Sequence, residues 1–270
     1  MQKANPLPAT LNQNCTVEPF PATRNPVVDA GRLGSRRHLI HGLMELDVTT
    51  ARAYFRAHKA RTGASLSFTG FLVACWAHAI EGNKSVQAYR NWRNQLVIFD
   101  DVDVVILIET QIGGVALPHI LRGASRKTFR QINDEIRGVQ SDPSQSSQTG
   151  PLMEWGARAP AFVRDLFYTA LRVNPHWLKQ FSGTTTVTSV GMFGAGSGWG
   201  IGFMPWHTLG LTVGGLTQKP GVVNGTIVVR EYLCVTLSVD HDIVDGAPAA
   251  RLGRQLKELI ESGYGLEEEH

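Results

Sequence analysis

His241 to Gly246 reads His-Asp-Ile-Val-Asp-Gly, and these residue types at this spacing suit acyl transfer. A histidine there can take a proton near neutral pH, and a carboxylate four residues on can orient it or hold the turn that carries it. Asp245 has a second use, because a carboxylate at a helix start accepts backbone N–H bonds. Leu233, Val235, Leu237 and Val239 alternate with Cys234, Thr236 and Ser238 before this segment, as in a half-buried strand. After it Ala249, Leu252, Leu256, Leu259 and Ile260 recur at helical spacing, with Pro248 suited to a first turn and Gly263 to a stop. His241 is thereby expected on a short connection between two rigid elements, a good place for a positioned base.

A second candidate lies at Thr184 to Gly202, where a hydroxyl-rich strand runs into a glycine-rich turn. A phosphate cradle does not fit: the glycines miss the Gly-x-Gly-x-x-Gly spacing and no Gly-Lys-Ser/Thr follows. Two readings stay open. The glycines serve close packing of a loop, or they let backbone approach a ligand to which Thr188 or Ser189 presents a hydroxyl. Trp199, Phe203 and Trp206 would then line an apolar channel, with aromatic core as the alternative.

The chain has 270 residues, 43% hydrophobic and 18% charged, with a net charge of +3. That is ordinary globular composition. No Lys/Arg cluster marks a nucleic-acid or polybasic membrane surface, so neither is expected as a partner. The most apolar stretches, Phe71 to Ile80 and Val102 to Ile108, are too short to span a bilayer. The N-terminus lacks a basic region followed by an apolar core. Cys15, Cys75 and Cys234 are odd in number and widely spaced, which fits reduced thiols in a cytoplasm. No metal is expected: His38 and His41, three apart in extended chain, point to opposite faces. His78 and His207 read as packed residues.

Leu39 to Val48 reads as a strand, and Ala51 to about Arg61 as a helix capped by Thr49 or Thr50 and closed by Gly63. Thr69 to Glu81 is apolar all round, hence a buried helix. Leu96 to Phe99 and Val102 to Glu109 read as successive strands, Ser125 to Arg137 and Ala161 to Arg172 as helices. Thr184 to Val190 and Leu209 to Val213 read as further strands, and Asn224-Gly225 marks a tight hairpin. Together these predict an α/β (α+β two-layer) fold, a mixed β-sheet covered by helices. Residues 1–28 are expected as an extended arm and 29–263 as one domain, with a polar loop or insertion at about 138–160 and an acidic tail at 264–270.

The segments Thr186 to Gly194 and Thr236 to Gly246, taken with Glu45 to Thr49, Phe68 to Val73, Phe99 to Val104 and Leu211 to Gly215, resemble the catalytic domain of the dihydrolipoamide acyltransferases of 2-oxo acid dehydrogenase complexes. Chloramphenicol acetyltransferase shares that fold. The likeness runs from about Leu43 to Ser262. It implies a homotrimer with active sites between subunits, coenzyme A or acyl-CoA as substrate, and transfer to a thiol such as dihydrolipoamide. By resemblance His241 falls on the general base, and Thr188 on a serine that hydrogen-bonds the oxyanion. Asp245 falls on a carboxylate that holds the site through an arginine, with Arg24, Arg32, Arg36 and Arg37 all candidates. Ser189, Gly191, Phe193 and Trp206 are the substrate-binding candidates.

A lipoyl group would come in trans, from a lipoyl-bearing protein or a 2-oxo acid dehydrogenase partner. The tail offers little apolar surface beyond Leu266, which favours a free trimer over a cage. Two other functions stay open: CoA-dependent acetylation of a small-molecule hydroxyl or amine, and a non-catalytic trimeric scaffold. Proton transfer from a thiol to an imidazole costs only about 2.7 kcal/mol on reference pKa values, so one histidine suffices as base.

Overall fold

The computed structural model describes residues 16–21, 24–108, 117–146, 159–189 and 196–266. Its centre is a six-stranded mixed sheet in the order β1(Leu39–Asp47), β8(Thr226–Asp240), β7(Leu209–Val223), β6(Thr185–Ser189), β4(Val104–Ile108), β5(Leu117–Leu121). Strand β6 runs parallel to both neighbours, and the other pairs are antiparallel. A separate two-stranded ribbon joins β2(Tyr89–Arg90) to β3(Leu96–Val97). The stretch Leu96 to Phe99 was expected to be a strand in its own right; only two of its residues pair, and they pair with Tyr89 and Arg90.

Helices α2(Thr49–Thr62), α3(Phe68–Glu81), α4(Phe129–Ser141) and α7(Gly246–Ser262) pack over the sheet. Phe71, Trp76 and Ile80 of α3, Ile132 and Ile136 of α4, and Leu252, Leu256 and Ile260 of α7 meet Val104, Ile106, Val187, Leu211, Val235 and Leu237 in one core. Each such side chain stabilises the fold by about 1.5–3 kcal/mol relative to exposure. The Trp76 indole donates to the Thr185 hydroxyl at 3.1 Å, so the odd-numbered residues of β6 face the helices. Thr186 and Thr188 therefore face the other side.

Caps set the element ends. Ser67 accepts the Gly70 N–H at the start of α3, and Thr128 forms a capping box with Gln131 on α4. Neither Thr49 nor Thr50 caps α2 as expected: the Asp47 carboxylate accepts from the N–H and hydroxyl of Thr49 at 2.9 and 2.6 Å. The anticipated hairpin forms at Asn224-Gly225, both at positive φ (50° and 78°), as a two-residue turn requires. Leu266 lies in the core.

The N-terminal arm departs from expectation. Residues Asn25–Gly34 form a helix, α1, so residues 25–28 of the expected arm are helical. Pro26 sits in the first helical turn, where its missing N–H has no cost. The Asp29 carboxylate of α1 accepts from Arg164 of α5(Ala161–Val173) at 2.6 Å, a long-range tie that local pattern does not reveal. A second, smaller core gathers Tyr89, Phe99, Tyr168, Leu171 and Leu178, the last on α6(Pro175–Ser182), with Leu33 and Trp206 against it.

Candidate active site

His241 follows the last residue of β8, and its backbone is held on both sides. The Asp240 N–H donates to the Thr208 carbonyl at 2.8 Å, and the His241 N–H to the His38 carbonyl at 2.8 Å. Ile243 and Val244 then donate to the Asp240 carbonyl at 3.0 and 2.9 Å, closing a tight turn, while buried Val244 anchors it in the core. The imidazole itself is free to reach outward, its side chain 46% exposed. A fixed backbone with an accessible ring is what a general base needs.

Asp245 is the N-cap residue of α7, yet its side chain makes no cap bond. It is 85% exposed, and its nearest oxygen is 3.8 Å from His241 Nδ1. That separation exceeds a hydrogen bond, so in one chain the contact is a weak surface pairing.

Of the four candidate arginines, Arg36 and Arg37 line the cavity beside the His241 turn, and Arg37 pairs with Asp240, not Asp245. Its Nη1 donates to Asp240 Oδ2 at 2.9 Å and to the His207 carbonyl at 2.8 Å, while Nη2 donates to the Trp206 carbonyl at 2.6 Å. Burial lowers the Arg37 pKa, and the charge of Asp240 offsets part of that loss. Beneath it, buried His207 donates from Nε2 to the Ser182 carbonyl at 2.7 Å. Burial depresses its pKa to about 4, which keeps it neutral and makes it packing, as its sequence context suggested. Sequence reasoning passed over Asp240. The signal was present: a carboxylate ending an apolar strand must find a cation when buried.

Asp242 accepts from His38 Nδ1 at 2.9 Å, and this bond holds its carboxyl below the usual range. His41, one strand residue later than the alternate position, takes a different partner, the Ser238 hydroxyl at 2.8 Å.

Thr188 sits in mid-sheet, opposite Thr212 of β7, which in turn opposes Thr236 of β8. Over it runs the glycine-rich loop. Gly202 N–H donates to Thr212 Oγ1 at 3.0 Å, and a β-carbon on Gly202 would lie 2.8 Å from the Thr188 methyl. Gly214 and Gly215 have their own reason: added β-carbons would collide with the carbonyl oxygens of Gly198 and Gly196. Trp199 crosses to β1, its indole donating to the Met44 carbonyl at 3.0 Å. Gly202, Gly214 and Gly215 thus serve close packing, and Gly202 lies against the methyl of half-buried Thr188.

In one chain Thr188 and His241 do not meet. His241 lies five residues beyond Thr236 along β8, roughly 16 Å, and Thr188 lies two strands away, roughly 10 Å. Ser189 is partly buried beside Thr188, opposite Val213. Trp206 stacks on Tyr168 at 5.7 Å and lines a cavity beside the His241 turn. Gly191 and Phe193 lie outside the described residues.

Known proteins share this arrangement of strand, turn and helix. Residues 169–266 match the family described as 2-oxoacid dehydrogenases acyltransferase (catalytic domain). The lipoamide acyltransferase component of the branched-chain alpha-keto acid dehydrogenase complex of Bacillus subtilis is 27% identical over 82% of this chain and 46% of its own length. The chain spans about half the length of the curated relatives it matches. A probable dihydrolipoamide acetyltransferase structure from Listeria monocytogenes superposes with a TM-score of 0.71, at 20% identity over 95% of this chain and 97% of that one. A chloramphenicol acetyltransferase superposes at 0.52, with 13% identity over 86% and 94%. Both likenesses show the fold, a mixed sheet covered by helices. The likeness to the 2-oxoacid dehydrogenase acyltransferase catalytic domain thus covers residues 169–266, and the likeness of fold covers nearly the whole chain.

Proposed function

We propose that this chain transfers acyl groups between coenzyme A and a thiol acceptor such as dihydrolipoamide, at a site shared between copies of the chain. The observation that carries the reading is an exposed histidine on a rigid turn inside the family block, with a half-buried threonine in the same block whose methyl lies beneath Gly202. Their separation within one chain supports a site completed by Thr188 of a second copy, as in a homotrimer.

Neutral His241 takes the acceptor thiol's proton as the sulfur attacks the thioester carbonyl. The C–S bond forms, and the oxyanion of the tetrahedral intermediate accepts a hydrogen bond from Thr188. Collapse breaks the other C–S bond, and the proton on His241 passes to the departing thiolate. Both sides are thioesters, so the exchange runs in either direction. Asp245 is a positioning residue, near enough to bias the imidazole once a neighbouring copy excludes water. A lipoyl-bearing protein would supply the acceptor in trans.

Two single variants test both the chemistry and the sharing. His241→Ala should lose a factor of about 10²–10⁴ in transfer to dihydrolipoamide, the usual worth of a general base. Thr188→Val should lose about 10²–10³. Co-assembling the two inactive chains should restore measurable transfer, because some sites then combine an intact His241 with an intact Thr188. Two inactive parents that stay inactive as a verified mixed assembly would overturn the shared site. Full activity in His241→Ala would overturn the mechanism. Running a small alcohol and an amine beside dihydrolipoamide identifies the acceptor class.

A further inference from the structure

Beside the His241 turn lies a cavity of about 310 Å³, the size of a small-ligand site. Asp240, Asp242 and Ile243, residues on both sides of His241, form one wall. Tyr168 and Trp206 stack against each other on another, with Trp92 of the β2–β3 ribbon at the mouth. Four arginines line it: Arg36, Arg37, Arg90 and Arg172. Arg37 is committed to Asp240, and Asp242 to His38. Arg36, Arg90 and Arg172 form no ion pair among the described residues, though the charge of Arg90 reaches Asp242; they come from three separate segments and converge on one space. Aromatic walls with surplus cations at the rim fit a ligand with an apolar body and an anionic far end. The adjacent reacting centre makes that body the acyl group.

We propose that this cavity is an acyl subsite for medium-length or aromatic acyl groups that end in a carboxylate, held by Arg90 and Arg172. The proposal rests on the acyl-transfer reading above. The guanidinium forks match a carboxylate in shape as well as charge, and each charge-assisted bond that forms discriminates against an acyl group lacking it.

A matched pair tests it: adipoyl-CoA against hexanoyl-CoA, which differ by the terminal carboxylate. The intact protein should favour adipoyl-CoA in kcat/KM. Arg90→Gln with Arg172→Gln should reduce that preference on the order of tenfold to a hundredfold, mostly through KM. A second readout needs no turnover, namely calorimetric binding of free adipate, hexanoate and adenosine 3′,5′-bisphosphate. Adipate binding that weakens in the double variant supports the subsite even if no acyl-CoA is turned over, in which case the acyl-transfer reading alone fails. Transfer with no preference for adipoyl over hexanoyl overturns the subsite alone. Bisphosphate binding that is lost in the double variant, with adipate silent, also overturns it, in favour of a nucleotide phosphate. Light scattering that shows the double variant dissociating, with adipate affinity unchanged, assigns the arginines to contacts between copies and overturns it too.

Discussion

The two halves of the candidate site are built in opposite ways. The His241 turn is made by local chain: β8 delivers it, Val244 anchors it, α7 leaves it, and short backbone bonds fix it, so the side chain is left exposed. The Thr188 region is made by distant chain: a loop from 196 onward is laid on β6 and β7, its glycines meeting glycines, and Thr188 is left half-buried beneath it. A base must reach a proton on a mobile substrate and tolerates exposure. An oxyanion donor acts best where water is excluded, so it needs a lid.

This contrast breaks at identifiable points. The largest stability effect is expected at Arg37, which ties the end of β8 to the carbonyls of Trp206 and His207. Arg37→Met leaves Asp240 buried without its cation and should cost about 3–5 kcal/mol in denaturant unfolding. A loss below about 1 kcal/mol would mean that the turn is held by its backbone bonds alone.

His207 tests the same support through pH. Its folded pKa of about 4 lies below the ordinary 6.5, so the unfolded chain takes the proton first on acidification. Its contribution is complete above pH 6.5, falls as pH drops toward 4 and levels off below. The loss is about 3 kcal/mol, measured as unfolding free energy against pH. His207→Gln should flatten that part of the curve. A slope that persists in the variant would assign it to another group.

The smallest effect separates the two halves. Gly215→Ala forces the loop off β7 and should cost about 1–3 kcal/mol. It should lower kcat by displacing the cover over Thr188, while chemical modification of exposed His241 by diethyl pyrocarbonate proceeds at the unaltered rate. Equal changes in both readouts would show the halves to be one mechanical unit.

Much of this was legible in the chain. Strand β8, the turn and helix α7 follow from alternation, Pro248 and Gly263, because each depends on residues a few positions apart. The Asn224-Gly225 hairpin is equally local. Helix α1 was missed because its buried face is defined by Asp29 meeting Arg164 and Leu33 meeting the small aromatic core. The Arg37–Asp240 pair was half visible: the arginine stood among four candidates, but its partner was assigned by family likeness to Asp245. Arg90, Arg172 and Trp92 carried no signal at all, since nothing in their own segments marks them.

Sequence by itself determined the kind of chemistry and the elements that carry it, because residue type and spacing of 2 or 3.6 act over one strand or one helix. Tertiary structure decided what faces what: that the glycines pack on glycines, that Arg37 takes Asp240, and that Thr188 lies too far from His241 to serve it within one chain. Those outcomes depend on which strand lies beside which and in what register. A shift of one residue would turn Thr188 to the opposite face of the sheet, and local pattern alone cannot fix that pairing.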